Sequence, residues 1–199
     1  MSAAKTSKKK SNPLVPRMMI DGFERDIQES YIRERAPEIL ETPFDVKDEK
    51  MATYDVTVHY LDKNHRMKGY VKRADIKKNS DDVKFDKVFV PKAGGSGADA
   101  LALGEPILAG KNSVCSQTYL YAKFSSRQNA ENFISYLRTK SLRALVSAIK
   151  VTQDALSRVY QFVPMQDFSE PWDDAKLYKK YKLTREEIAF IESMIKPME

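Results

Sequence analysis

The sharpest pattern in the chain runs from Tyr54 to Tyr60, where Tyr54, Val56, Val58 and Tyr60 alternate with Asp55, Thr57 and His59. A period of two places the two sets on opposite faces of an extended chain, so this stretch is a strand with one face buried. Lys63-Asn64-His65 supplies the polar turn of a hairpin whose return strand is Arg66 to Lys72. Lys87-Val-Phe-Val-Pro91 is a further short apolar run, closed by a proline that has no N–H to give to a ladder. Ala93-Gly-Gly-Ser-Gly97 reads as a loop, because its glycines accept backbone angles closed to other residues. Gln117 to Phe124, rich in aromatic residues, returns as a strand.

The helical period shows elsewhere. Ile27, Tyr31, Ile32 and Ile39 predict a short helix within Ile20 to Leu40, broken at Pro37 and Pro43. Ser125-Ser-Arg-Gln128 has the form of a capping box and opens a long amphipathic helix carrying Phe133, Ile134, Leu137, Leu142, Leu145, Val146 and Ile149. Val159 to Val163 reads as a short strand ending at Pro164, and Thr184-Arg-Glu-Glu187 caps a terminal helix bearing Ile188, Ile191 and Ile195. The expected fold is mixed α and β of the α+β kind: a small twisted mixed sheet with one long amphipathic helix and a C-terminal helix. Residues 1–12 form a disordered basic tail, 13–80 a helix and hairpin region, and 81–199 the main α/β domain. No internal repeat is visible.

Composition narrows the class. Hydrophobic residues make up 42% and charged residues 31% of the 199, enough apolar surface for one folded core. The net charge of +6 favours an anionic partner such as nucleic acid, but Lys5, Lys8, Lys9 and Lys10 sit in the tail, and without them +2 remains. Cys115 is the single cysteine, which excludes an internal disulfide and a cysteine-held structural metal. A reducing setting fits, no apolar stretch approaches the roughly 20 residues that span a bilayer, and the cytoplasm is the expected location.

Catalytic chemistry is thinly represented. Nucleophilic catalysis needs a base beside the nucleophile, and the only histidines, His59 and His65, lie far from Cys115 in sequence. Cys115 reads as a small buried residue. An acidic residue two places before a lysine, as in some metal-dependent nucleases, occurs at Asp45-Val-Lys47, Asp75-Ile-Lys77 and Asp174-Ala-Lys176, which is what chance provides in so charged a chain. The glycine loop lacks the Gly-Lys-Ser/Thr ending of a phosphate-binding loop, so no cofactor is expected. Arg138, Lys140, Arg143, Lys150 and Arg158, with Thr152 and Gln153, punctuate the helical stretch either as a solvated face or as phosphate and base contacts.

Four segments occur in a telling order: Lys87-Val-Phe-Val-Pro-Lys-Ala-Gly-Gly-Ser-Gly97, Val114-Cys-Ser-Gln-Thr-Tyr119, Ala130-Glu-Asn-Phe-Ile-Ser-Tyr-Leu-Arg-Thr-Lys140 and Tyr160-Gln-Phe-Val-Pro-Met-Gln-Asp-Phe168. With the ending from Trp172 to Ile195, the stretch from Tyr70 to Glu199 resembles the C-terminal target-recognition region of type II restriction–modification adenine-specific DNA methyltransferases. The resemblance implies a mixed α/β module that reads double-stranded DNA. The catalytic motif of that family, Asn or Asp followed by Pro-Pro and Tyr or Phe, is absent, and the chain contains no Pro-Pro at all. A reader without the methyl-transferring part is therefore expected, since methylation needs a pocket for an extruded base. A specificity subunit, a gene remnant and an antirestriction protein all remain compatible with this.

On residue type and place in these motifs, Lys92, Lys111, Lys123, Arg127, Lys140 and Arg143 are the expected phosphate holders. Asn112, Gln117, Thr118 and Tyr119 form the expected recognition segment, with Gln117 and Gln153 as base readers because an amide pairs bidentately with adenine. Two other readings stay open. The helices around Leu145 and Ile191 would dock on a separate methyltransferase or endonuclease chain, or Asp174 would serve a magnesium-dependent nuclease.

Overall fold

A computed structural model of the chain describes residues 45–62, 65–76, 78–92, 103–149, 157–160 and 162–198. The basic tail, the helix expected between Ile20 and Leu40, the glycine loop, the turn residues Lys63 and Asn64, and Gln153 lie outside the described residues.

The alternating stretch forms β1 (Val56–Asp62), and β2 (His65–Val71) folds back on it antiparallel, with Val56 opposite Val71 and Asp62 opposite His65. β3 (Asp86–Pro91) is buried along its whole length. β4 (Ile107–Ala109), β5 (Ser113–Cys115) and β6 (Tyr119–Phe124) complete the strands. They make two sheets where a single one is expected from the pattern: β2-β1-β5, in which β5 runs parallel to β1, and the antiparallel β4-β3-β6. Because β5 joins β1, strand pairing crosses the expected division at residue 80.

The layers follow from parity. Val88 and Val90 of β3, with Leu120, Ala122 and Phe124 of β6, face the helices and form the main core with Phe133, Leu137, Leu142 and Val146. Phe89, Tyr119 and Tyr121, on the other face, meet Cys115 of the neighbouring sheet, and His59 closes edge-on against Phe89 at 5.2 Å. The far face of the β2-β1-β5 sheet, Val56, Val58, Val71 and Val114, is covered by Ile76, Val83 and Val46. Gly69 is required there: a Cβ at that position would overlap Val46 Cγ1 and stand 3.1 Å from the Lys47 carbonyl oxygen.

The long helix is broken. α1 (Arg127–Arg138) and α2 (Lys140–Ile149) meet at Thr139, whose ψ of 144° is extended. The Thr139 hydroxyl donates to Tyr136 O at 2.7 Å and accepts from Leu142 N at 3.2 Å, so its side chain substitutes for the helical ladder at the corner. The cap of α1 is Ser126, accepting from Asn129 N, one residue later than the expected Ser125 box. α3 (Ser157–Tyr160) replaces the expected strand at Val159: Val159 and Tyr160 are both buried, and a short apolar run carries no period that separates one buried helical turn from a buried strand. α4 (Asp174–Tyr181) and α5 (Arg185–Met194) follow, and the expected capping box at Thr184 and Glu187 is present. Among the described residues no helix is long and apolar enough to cross a membrane.

Asp174 has a structural task. Its carboxylate accepts from Lys140 N at 3.0 Å, Ser141 N at 2.8 Å and Ser141 Oγ at 2.7 Å, closing the N-terminus of α2. Asp174→Ala is expected to lower the unfolding free energy by about 2 kcal/mol, the upper end for loss of a helix cap. Urea unfolding measures this, and an unchanged midpoint would contradict the assignment.

Candidate nucleic-acid interface

The register of β3 and β6 gives the central sheet two ends: Pro91 pairs with Tyr119 at one, Asp86 with Phe124 at the other. Strands of this length separate them by about 17 Å.

At the Pro91 end, Lys92 N donates to Thr118 O at 3.0 Å, Ser116 N donates to His59 O at 2.9 Å, and Tyr119 N closes a turn onto Ser116 O at 3.2 Å. The Ser116 and Thr118 hydroxyls share a hydrogen bond of 2.7 Å, and Gln117, between them, is exposed. Arg66 of β2 reaches the same end: a methyl group on Gly104 would meet Arg66 Nη2 at 3.0 Å and Pro91 Cβ at 2.9 Å. Lys92 and Arg66 make no ion pair among the described residues. The chain leaves Lys92 directly into the glycine segment.

At the Asp86 end, Asn112 adopts a left-handed φ of 56°. Its backbone ties β1 to Val83, accepting from Thr57 N at 2.9 Å and donating to Val83 O at 2.8 Å. The Asn112 amide oxygen accepts from Arg73 Nη2 at 2.8 Å, and Lys111 beside it is exposed. Lys123 is committed to Asp82, which it meets at 2.6 Å while the Tyr121 hydroxyl binds the other carboxylate oxygen at 2.6 Å. Burial opposes ionisation of Asp82, but Lys123 and Tyr121 outweigh it and hold the carboxyl below its ordinary range. The fully buried Lys87 donates to the carbonyls of Asp82, Val83 and Phe85, and burial pushes its ammonium down to about 8.

The remaining expected cations are borne on helices. Arg127 pairs with Glu131 at 3.1 Å, and Lys140 pairs with Glu192. Arg143 is 1% exposed and donates to Lys196 O at 2.6 Å, which corrects its expected role as a phosphate holder. It points inward because α2 is enclosed by α1, α3, α4 and α5, so even its polar residues Ser141 and Arg143 are buried. Tyr119 is likewise corrected: it is 2% exposed, with its ring 6.2 Å from Phe89, and burial raises its hydroxyl pKa. It supports the turn from Ser116 to Tyr119 from beneath.

The expected site therefore divides. Lys92, Gln117 and Thr118 gather at one end, Lys111, Asn112 and the paired Lys123 at the other, while Arg127, Lys140 and Arg143 belong to the helical layer. Arg66, Lys68 and Arg73 were not among the expected contacts; their signal was the run of basic residues along the return strand of the hairpin. The Cys115–His59 pairing was also invisible in sequence, since only the parallel register makes them neighbours. Both are buried, His59 at 5% and Cys115 at 0% exposure, in the space between the sheets. Among the described residues no three His, Cys, Asp or Glu side chains group as metal ligands. Of the three Asp-x-Lys pairs, Asp45 binds Tyr54 and Lys47, and Asp174 caps α2. No family model matches the chain, and neither a curated protein nor a solved structure matches it.

Proposed function

We propose that this chain is a DNA-binding target-recognition module, related to the reader region of restriction–modification adenine methyltransferases and acting without a methyl-transfer site of its own. The observation that supports it is the Pro91 end of the sheets, where Lys92, Gln117, Thr118 and Arg66 collect and where, among the described residues, neither Lys92 nor Arg66 is held in an ion pair. Lys92 there holds a phosphate, and the exposed amide of Gln117 presents a donor and an acceptor to a base edge. The sequence likeness from Tyr70 to Glu199 points to the same partner.

Fluorescence anisotropy of a labelled duplex at two salt concentrations tests the reading, with the full chain and a version starting at Asn12. Affinity that falls steeply with salt and survives loss of the tail is expected, because bound phosphates release counterions. Lys92→Glu is expected to weaken binding to all sequences about 10-fold and to reduce the salt slope by about one. Absence of binding by both forms would overturn the proposal. The second reading, docking on a separate methyltransferase or endonuclease chain through the helices around Leu145 and Ile191, finds both of those side chains 0% exposed inside the helical layer and keeps only residues such as Met194, 37% exposed, for a contact. It predicts complex formation insensitive to salt.

A further inference from the structure

The β1–β2 ribbon outruns its sheet. β5 pairs with β1 only from Thr57 to His59, so among the described residues the pairs of Tyr60 with Met67, Leu61 with Arg66 and Asp62 with His65 have no third strand on that side. On the outer side, Lys47 bonds to Tyr70 and, among the described residues, no strand continues toward His65. Leu61, Asp62, His65, Arg66, Met67 and Lys68 are all exposed. Alternation sends Leu61 and Arg66 to one face, Tyr60 and Met67 to the other. Leu61 at 39% and Met67 at 40% exposure thus present apolar surface on both faces of the projecting ribbon, where neither adds to a core.

A two-stranded ribbon fits the major groove of B-form DNA, which is about 12 Å wide. The side chains suit its walls and floor. Arg66 matches the two acceptors of a guanine, Leu61 and Met67 match thymine methyl groups, and Asp62 at the tip accepts from a cytosine amino group while repelling phosphates. Lys68, opposite His59 farther from the tip, lies where a groove wall would bring phosphates. Arg66 also stands against Gly104 and Pro91, which makes the ribbon continuous with Lys92 and Gln117.

We infer that the β1–β2 ribbon is a base-reading element that enters the major groove of duplex DNA, while the Pro91 end holds the backbone beside it. The inference rests on the DNA-binding reading and extends it to residues that precede Tyr70, outside the sequence likeness.

The test is selection from a library of random-sequence duplexes on the full chain and on Arg66→Ala, with thermal melting to confirm that the variant folds. The full chain is expected to enrich a motif. Arg66→Ala is expected to keep its affinity for unselected duplex within about 3-fold, to lose preference at one or two positions, and to bind the enriched duplex about 10-fold more weakly. Replacing guanine by 7-deazaguanine in that duplex, which deletes a major-groove acceptor, is expected to weaken the full chain and leave Arg66→Ala unchanged. If Arg66→Ala enriches the same motif with the same affinity, the ribbon does not read bases although the chain binds DNA. If the full chain binds no duplex, the DNA-binding reading falls, and the ribbon's role with it.

Discussion

Phe168→Ala is expected to lower the unfolding free energy by about 3–5 kcal/mol, a large share of the roughly 5–15 kcal/mol that holds a domain of this size together. Phe168 belongs to no helix or strand, yet it is 5% exposed and touches three rings. It stands 5.1 Å from Phe133, 5.8 Å from Tyr136 and 6.2 Å from Phe124, edge-on to the first and last. One truncation therefore removes the joint between β6 and α1 and leaves a void that rings on two elements cannot collapse to fill. The segment around it is also fixed by polar contacts: Phe168 O accepts from Asn132 Nδ2 at 2.9 Å, Pro164 O from the Tyr136 hydroxyl at 2.7 Å, and Trp172 N donates to Ser135 Oγ at 2.9 Å. Those bonds limit relaxation and push the cost toward the upper part of the range. Urea unfolding followed by tyrosine and tryptophan fluorescence is the measurement. A loss below about 1 kcal/mol would mean that this segment peels away without disturbing the core.

The elements legible in the sequence are those whose pattern reflects a single environment. β1 has one face against Val83 and Ile76 and the other partly open, so its alternation is clean, and the α5 cap is local to four residues. β4 and β5 are three residues each and carry no period; they exist because β3 and β1 offer them edges. α4 was missed for another reason: its face is mostly polar, and only Leu177 is buried. The two-sheet arrangement depends on the parallel pairing of residues more than fifty apart, which no local pattern encodes.

The site shows the same limit from the electrostatic side. Reading a lysine or arginine as a phosphate contact assumes that it is free and faces outward. Lys123, Arg127 and Lys140 are instead answered by Asp82, Glu131 and Glu192, and Arg143 by the carbonyl of Lys196. Each partner except Glu131 lies more than forty residues away, so the sequence shows the cations without their anions. Lys111 and Gln117 keep their expected exposure because they sit in short connections between strands, and Lys92 is half-buried directly after the end of β3. Spacing along β2 puts Arg66 and Lys68 on one face, but the projection of that face past β5 follows only from the tertiary pairing.

Acidification from pH 7.5 to 5 is expected to remove about 2 kcal/mol of stability through His59 alone. Burial between the sheets, assisted by the charge of Lys68, pulls the imidazole from 6.5 down to about 4. Between those values the unfolded chain binds a proton that the folded chain refuses, so stability is full above about 6.5 and is lost as the pH falls toward about 4. The full window corresponds to about 3 kcal/mol at 1.36 kcal/mol per pH unit. His59→Leu removes the proton site while keeping an apolar body against Phe89, and it is expected to flatten this part of the profile. Urea midpoints of both proteins at pH 7.5 and 5 give the difference; parallel profiles would show that His59 titrates normally and that the sheets admit water there. His59 also precedes the last three residues of β1, and its carbonyl takes the Ser116 N–H at the start of the turn to Tyr119, so the proton-refusing ring sits where the two sheets are tied together.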